Sequence, residues 1–176
     1  MALKPTIYKF KIGLSDFDRD YYDNLNLTLA QHPSETLERM MVRLLAFCLN
    51  ADPDLIFTKG LSSVEEADVW LKTLDEQTKL WIDVGEPSFE RVKKATRISD
   101  KVKVYSFNTK SDVWWKQSSA KLSSLKAEFY QFNFEQISEL VKLIDRSVSL
   151  SCSISANSIF VSSDTADCQI DYKVLD

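Results

Sequence analysis

An acid held in a strand, followed within a dozen residues by lysines on a helix, is a pattern that metal-assisted phosphodiester chemistry uses, and the segment LWIDVGEPSFERVKKA over 80–95 carries it. Its alternation places Leu80, Ile82 and Val84 on one face of a strand and Trp81, Asp83 and Gly85 on the other. Asp83 is therefore a carboxylate fixed in a sheet. Pro87 and Ser88 then open a helix, with Ser88 capping the first turn and Glu90 suiting its positive end. Phe89, Val92, Ala95 and Thr96 form the inner face of that helix. Lys93 flanks this face and is placed to reach back toward Asp83, while Lys94 points nearly opposite.

Two further acids precede this segment. In TLAQHPSETLERMMVRLLAF the apolar residues Leu37, Met41, Leu44 and Cys48 make one helical stripe, and Glu38 falls at its edge beside Leu45. Its i+3 and i+4 neighbours are Met41 and Val42, so it has no partner on its own helix, whereas Glu35 has Arg39 at i+4. Asp68 lies in EEADVW, ahead of a short strand. Each of these residues also has an ordinary account. Glu38 reads as a half-exposed glutamate whose stem covers apolar surface, and Asp68 as part of a charged loop. Arg91, Lys93, Lys94 and Arg97 read as a solvated basic patch.

Other chemistries are removed by what the chain lacks. His32 is the only histidine, which rules out multi-histidine zinc sites, and it sits at a helix start where capping is its natural role. No G-x-S-x-G elbow, P-loop or G-x-G-x-x-G cradle is present, and 3 glycines could hardly build one. Net charge is −4, from 22 basic and 26 acidic residues, so no global positive field draws in nucleic acid. Trp114 and Trp115 project about 100° apart on a helix, which suits one in the core and one under a loop better than a base-stacking platform.

The elements that must position these residues follow from periodicity. The sequence predicts an antiparallel pair over 6–14 and 20–29, a helix from Pro33 to about Asn50, and short strands near 55–58 and 68–71. A central strand over 79–84, the helix from Ser88 to Ile98 and a strand over 102–107 come next. Asn108 or Thr109 caps a helix running through Ser119, 125–132 is extended, and Phe134 to Asp145 is helical. The end, SVSLSCSISANSIFVSSD and beyond, reads as a β-meander closing a mixed sheet. The expectation is one domain over 1–176 of α/β type, an α+β mixed sheet with flanking helices and extra antiparallel strands. MALKPTIYKF has no long apolar run and no stretch approaches the roughly 18 apolar residues of a spanning helix, so a cytoplasmic protein without a membrane partner is expected. Cys48, Cys152 and Cys168, read as buried thiols, fit a reducing compartment.

The order of acid on the first helix, acid near a strand, acid on the next strand and lysine close behind resembles the PD-(D/E)XK restriction-endonuclease-like core. That resemblance implies Mg²⁺, or Mn²⁺ in its place, held by Glu38, Asp68 and Asp83, with lysine positioning or activating the attacking water. Two departures stand out: Ala67 replaces the proline before Asp68, and Gly85 occupies the place of the motif lysine. Any lysine must then come from the helix, as Lys93 or Lys94. The longer words TLAQHPSETLERMMVRLLAF, W-I-D-V-G-x-P, R-V-K-K-A and D-V-W-W, with TIYK near the start, are similar to the YaeQ family of bacterial proteins over nearly the whole chain. This family resembles the same nuclease-like fold with its lysine moved to the helix. The resemblance implies a Mg²⁺-dependent nuclease or phosphodiesterase acting on nucleic acid. The alternative is a catalytically inactive module of the same fold that binds nucleic acid or a regulatory protein.

Overall fold

The computed structural model describes residues 3–176; Met1 and Ala2, which open the MALKPTIYKF stretch, lie outside the described residues. In chain order the elements are β1 (Thr6–Asp16), β2 (Tyr21–Gln31), α1 (Leu37–Leu49), β3 (Leu55–Phe57), β4 (Val69–Lys72) and β5 (Thr78–Val84). They continue as α2 (Phe89–Ile98), β6 (Ser99–Ser106), α3 (Ser111–Leu122), β7 (Glu128–Phe132), α4 (Phe134–Val141), β8 (Ser147–Ser155), β9 (Ser158–Ser162) and β10 (Asp167–Leu175). This is a mixed α+β fold with ten strands and four α-helices among the described residues. The chain divides into two compact units, one running up to Leu49 and resuming over Asn133–Tyr172, the other over Asn50–Phe132 with Lys173–Asp176.

In the first unit the strand order is β2-β1-β8-β9-β10, and β1 lies antiparallel to β2 but parallel to β8. Phe10, Ile12 and Leu14 alternate inward along β1 as the period of two requires. α1 behaves differently: every residue from Met40 to Cys48 is buried, including Arg43 at 3% exposure, as in a helix enclosed on all sides. A buried guanidinium needs full pairing. Glu35, just ahead of the helix, supplies it: its Oε1 accepts from Arg43 NH2 at 2.7 Å, and its Oε2 accepts from Arg43 Nε at 2.9 Å and Arg39 NH1 at 2.6 Å. Arg43 also donates to Ala30 O on β2 at 3.0 Å.

In the second unit the order is β7-β6-β5-β4-β3. The β3–β4 and β4–β5 pairs are antiparallel, whereas β5–β6 and β6–β7 are parallel, with α2 and α3 as the crossovers that parallel pairing requires. Trp81, Val102, Val104 and Phe129 face Val92 and Ala95 of α2 and Leu122 of α3 in one apolar core. β5 is buried continuously from Trp81 to Val84, on both faces.

Several sequence expectations need correction. α3 starts at Ser111 with Lys110 rather than Asn108 or Thr109 at the cap position, and the chain enters it through a turn in which Ser111 N donates to the backbone oxygen of Asn108. α4 stops at Val141, and the apolar pattern through Leu143 and Ile144 continues as tight i→i+3 turns. β6 begins at Ser99, directly off the end of α2. Cys168 is half-buried rather than enclosed; Cys48 and Cys152 are the buried thiols. No helix among the described residues is long and apolar enough to cross a membrane.

Candidate functional site around Asp68 and Asp83

The turn from β5 into α2 builds the site. β5 ends at Val84, and Gly85 follows at φ +110°, a conformation that side chains resist. Its N–H donates to Tyr105 O at 2.8 Å, extending the parallel ladder by one residue beyond the strand. Ser88 then caps α2, its hydroxyl accepting from Arg91 N at 3.3 Å. Arg91, in the first turn of the helix, is thereby turned back over the strand it came from.

Arg91 grips Asp83 with both arms of its fork: Nε donates to Oδ2 at 2.8 Å and NH2 to Oδ1 at 3.0 Å. The guanidinium also donates to Val64 O at 3.0 Å and to Glu66 O at 2.9 Å, and stands 5.6 Å from the centre of the Trp81 ring. Asp68 enters from the start of β4. Its N–H donates to Ile82 O at 3.0 Å, and its Oδ2 accepts from Val84 N at 2.8 Å, so the carboxylate continues the β4–β5 ladder with a side chain. Asp68 is 4% exposed and Asp83 2%. Burial pushes the Asp83 carboxyl above the usual aspartate value and the neighbouring Asp68 charge adds to this; the Arg91 hydrogen bonds and charge oppose the rise without cancelling it. The Trp81 indole nitrogen is buried and completes no hydrogen bond of its own among the described residues.

Of the residues singled out by sequence, the structure brings Asp68 and Asp83 together. Lys93 and Lys94 go elsewhere. The Lys93 ammonium stands 5.6 Å from the Phe89 ring, and Lys94 pairs with exposed Glu65 at 2.9 Å. Glu38 lies half-buried on α1 in the first unit. The cation on Asp83 is Arg91, which the sequence reading left in the solvated patch. A signal was available: Arg91 lies one helical turn before buried Ala95, so it shares the inward edge of α2. Trp114 and Trp115 both pack on Phe129, with ring centres 6.4 Å and 5.1 Å away, and Trp114 Nε1 donates to Pro87 O at 3.1 Å.

A divalent ion does not fit this arrangement of donors. Arg91 takes both Asp83 oxygens, a backbone N–H takes one oxygen of Asp68, and no group of three His, Cys, Asp or Glu among the described residues is disposed to hold an ion.

The fold and site thus define a mixed α+β protein with a buried acid pair at a strand-to-helix turn. The chain belongs to the YaeQ family, whose model, described as YaeQ protein, matches residues 1–172. It is 36% identical over 172 residues to the YaeQ protein of Escherichia coli (strain K12), covering 97% of this chain and 95% of that one. Against the YaeQ protein of Salmonella typhi the identity is 38% over 164 residues, covering 92% and 91%. The crystal structure of YaeQ protein from Xanthomonas axonopodis pv. citri superimposes with a TM-score of 0.93 at 35% identity, covering 97% of each chain. That of YaeQ protein from Pseudomonas syringae gives 0.92 at 32% identity, covering 98% of this chain and 96% of the other. The resemblance to the YaeQ family read from the sequence is borne out.

Proposed function

We propose that the chain is a non-catalytic binding module on a PD-(D/E)XK-like scaffold, in which Arg91 supplies to Asp83 the positive charge that a metal supplies in the nucleases of that fold. The observation that carries this reading is the two-pronged Arg91–Asp83 contact, which satisfies both carboxylate oxygens from within the protein. The partner that suits it is a protein. Net charge is −4, and Trp114 and Trp115 are committed to Phe129, which leaves little for a nucleic-acid strand. The exposed side chains of Leu61 and Val64, with Lys94 and Arg97 on the outer face of α2, give an apolar and charged surface of the kind protein partners cover. The free thiols Cys48 and Cys152 suit the reducing bacterial cytoplasm, where we place it.

Titration with Mn²⁺, followed by electron paramagnetic resonance, tests this directly. The expected result is no ion bound at micromolar Mn²⁺. A tight site that disappears in Asp83→Asn would overturn the reading. A Mg²⁺-dependent phosphodiesterase is the second reading, favoured by Asp68 lying close enough to raise the Asp83 pKa, since adjacent carboxylates are relieved by a cation. Its test is cleavage of plasmid DNA and single-stranded RNA in Mg²⁺ or Mn²⁺, compared between the native chain and Asp83→Asn. Activity lost in the variant would establish it, and activity equal in both would place any cleavage outside this site.

A further inference from the structure

Residues 59–66 leave the end of β3 and return to the start of β4 as a closed loop. Its neck is Thr58, whose N–H donates to Asp68 O at 3.3 Å and whose hydroxyl donates to Ala67 O. Just inside the neck, Lys59 N donates to Glu66 Oε2 at 3.2 Å and Gly60 N to Thr58 Oγ1 at 3.0 Å. Loops of this length with joined ends are usually held by their own packed side chains. This one is so held at its neck only: Ala67 is buried in the core, whereas Leu61 is 44% exposed and Val64 76%. The Glu65–Lys94 pair lies in water, where such contacts hold little.

Arg91 ties the loop to α2, through the carbonyls of Val64 and Glu66. The same guanidinium is forked onto Asp83. Beneath the loop lies the acid pair, and Gly60 rests on it: a methyl group added there would stand 3.7 Å from Asp68 Oδ1. One side chain therefore fastens the cover and occupies what it covers.

We infer that residues 59–66 are a latch over Asp68 and Asp83, that they open as a unit about the neck formed by Thr58, Ala67 and Asp68, and that Arg91 sets how often they do so. This rests on the reading of Arg91 as the cation that holds Asp83. With Ala67 kept in the core as part of the neck, opening breaks two carbonyl contacts and an exposed ion pair, so it belongs to the local openings that precede global unfolding. Arg91 is a positioning residue in this device. Whatever reaches the carboxylates waits for the open state, and its apparent affinity falls by the open fraction.

Hydrogen exchange by mass spectrometry, joined to carbodiimide labelling of carboxylates, tests the latch on the full chain. The forms compared are the native protein, Arg91→Lys, Arg91→Met and Glu66→Gln. In Arg91→Lys, which keeps the charge but loses the fork, exchange in the 59–66 peptide is expected to rise about tenfold while the β5–β6 ladder stays as it was. Labelling of Asp68 and Asp83 rises in step, and Glu65 labels fully in every form. Glu66→Gln loosens the neck without touching Asp83, and it too speeds exchange in the loop. Unchanged loop exchange in Arg91→Lys overturns the latch, as does a rise spread evenly over 50–132. Should Arg91→Met fail to fold, Arg91→Lys and Glu66→Gln carry the test. The latch and the function fail separately. A Mn²⁺ site in the native chain with the loop still guarded by Arg91 removes the non-catalytic reading alone, whereas unchanged exchange with no Mn²⁺ bound removes the latch alone.

Discussion

Each unit buries a carboxylate beneath arginine, and the two do so to different ends. In the first, Glu35 receives two guanidinium groups, and the contacts run between a helix, the residues before it and the backbone of β2. In the second, Arg91 serves Asp83 and, with the same fork, the carbonyls of a loop, while Asp68 crowds the acid from the other side. Doubled pairing anchored between helix and strand is the mark of structural reinforcement. A single cation shared between a buried acid and a loop couples local charge to local motion, and such coupling belongs to sites that respond to something.

Breaking the two clasps should separate these roles, beginning with the larger effect. Arg43→Met leaves buried Glu35 with Arg39 alone and is expected to cost about 3–5 kcal/mol in urea unfolding, the range for removing one side of a buried ion pair. A loss under about 1 kcal/mol would show that the cluster contributes little to stability. Arg91→Met should cost less, about 1–2 kcal/mol, because its side chain is 30% exposed and part of its work is on the loop. Equal losses would erase the distinction drawn here.

A comparison of titrations sharpens it further. The Asp83 pKa is raised, so the folded state holds that proton more tightly than the unfolded chain; the resulting stability is full below the unfolded value and is lost as pH climbs through the raised one. Asp171 in the first unit goes the other way. Hydrogen bonds from Ser158, Gln136 and Gln169 lower its pKa, so its contribution is present above the unfolded value and is lost as pH falls through the lowered one. Carboxyl NMR titration should place Asp83 above 3.8 and Asp171 below it, and the reverse order would contradict the geometry of both. The smallest effect concerns Cys168, whose thiol is pushed up to about 11, chiefly by burial. At pH 8 about one molecule in a thousand carries the thiolate, so iodoacetamide should label native protein far more slowly than unfolded protein.

The sequence made the strands and helices legible wherever one face met the core. The period of two set Asp83 beside Trp81, and Ser88 announced the start of α2. Asp83 and Asp68 were found because a charge in or beside a buried strand is conspicuous. Arg91 was missed because a run of four cations on one short helix looks uniform in sequence, and only the path of the chain decides which of them bends inward. The loop escaped for a related reason. Its attachment is through backbone carbonyls, and no residue type at Val64 or Glu66 advertises that an arginine 25 or 27 positions later will bind there.

The parallel pairing of β1 with β8 has a consequence for how the molecule is made. The second unit is nearly one uninterrupted run of chain, whereas the first is assembled from its two ends. A ribosome releases the β1–β2 hairpin and α1 early, then must deliver roughly a hundred more residues before β8 and β9 exist, a delay of about 5–20 s at ordinary bacterial rates. Through that interval Phe10, Ile12 and Leu14 have no parallel neighbour to close against. The nascent amino-terminal segment is accordingly where a holding chaperone should bind, and it should be released once the carboxy-terminal meander has emerged.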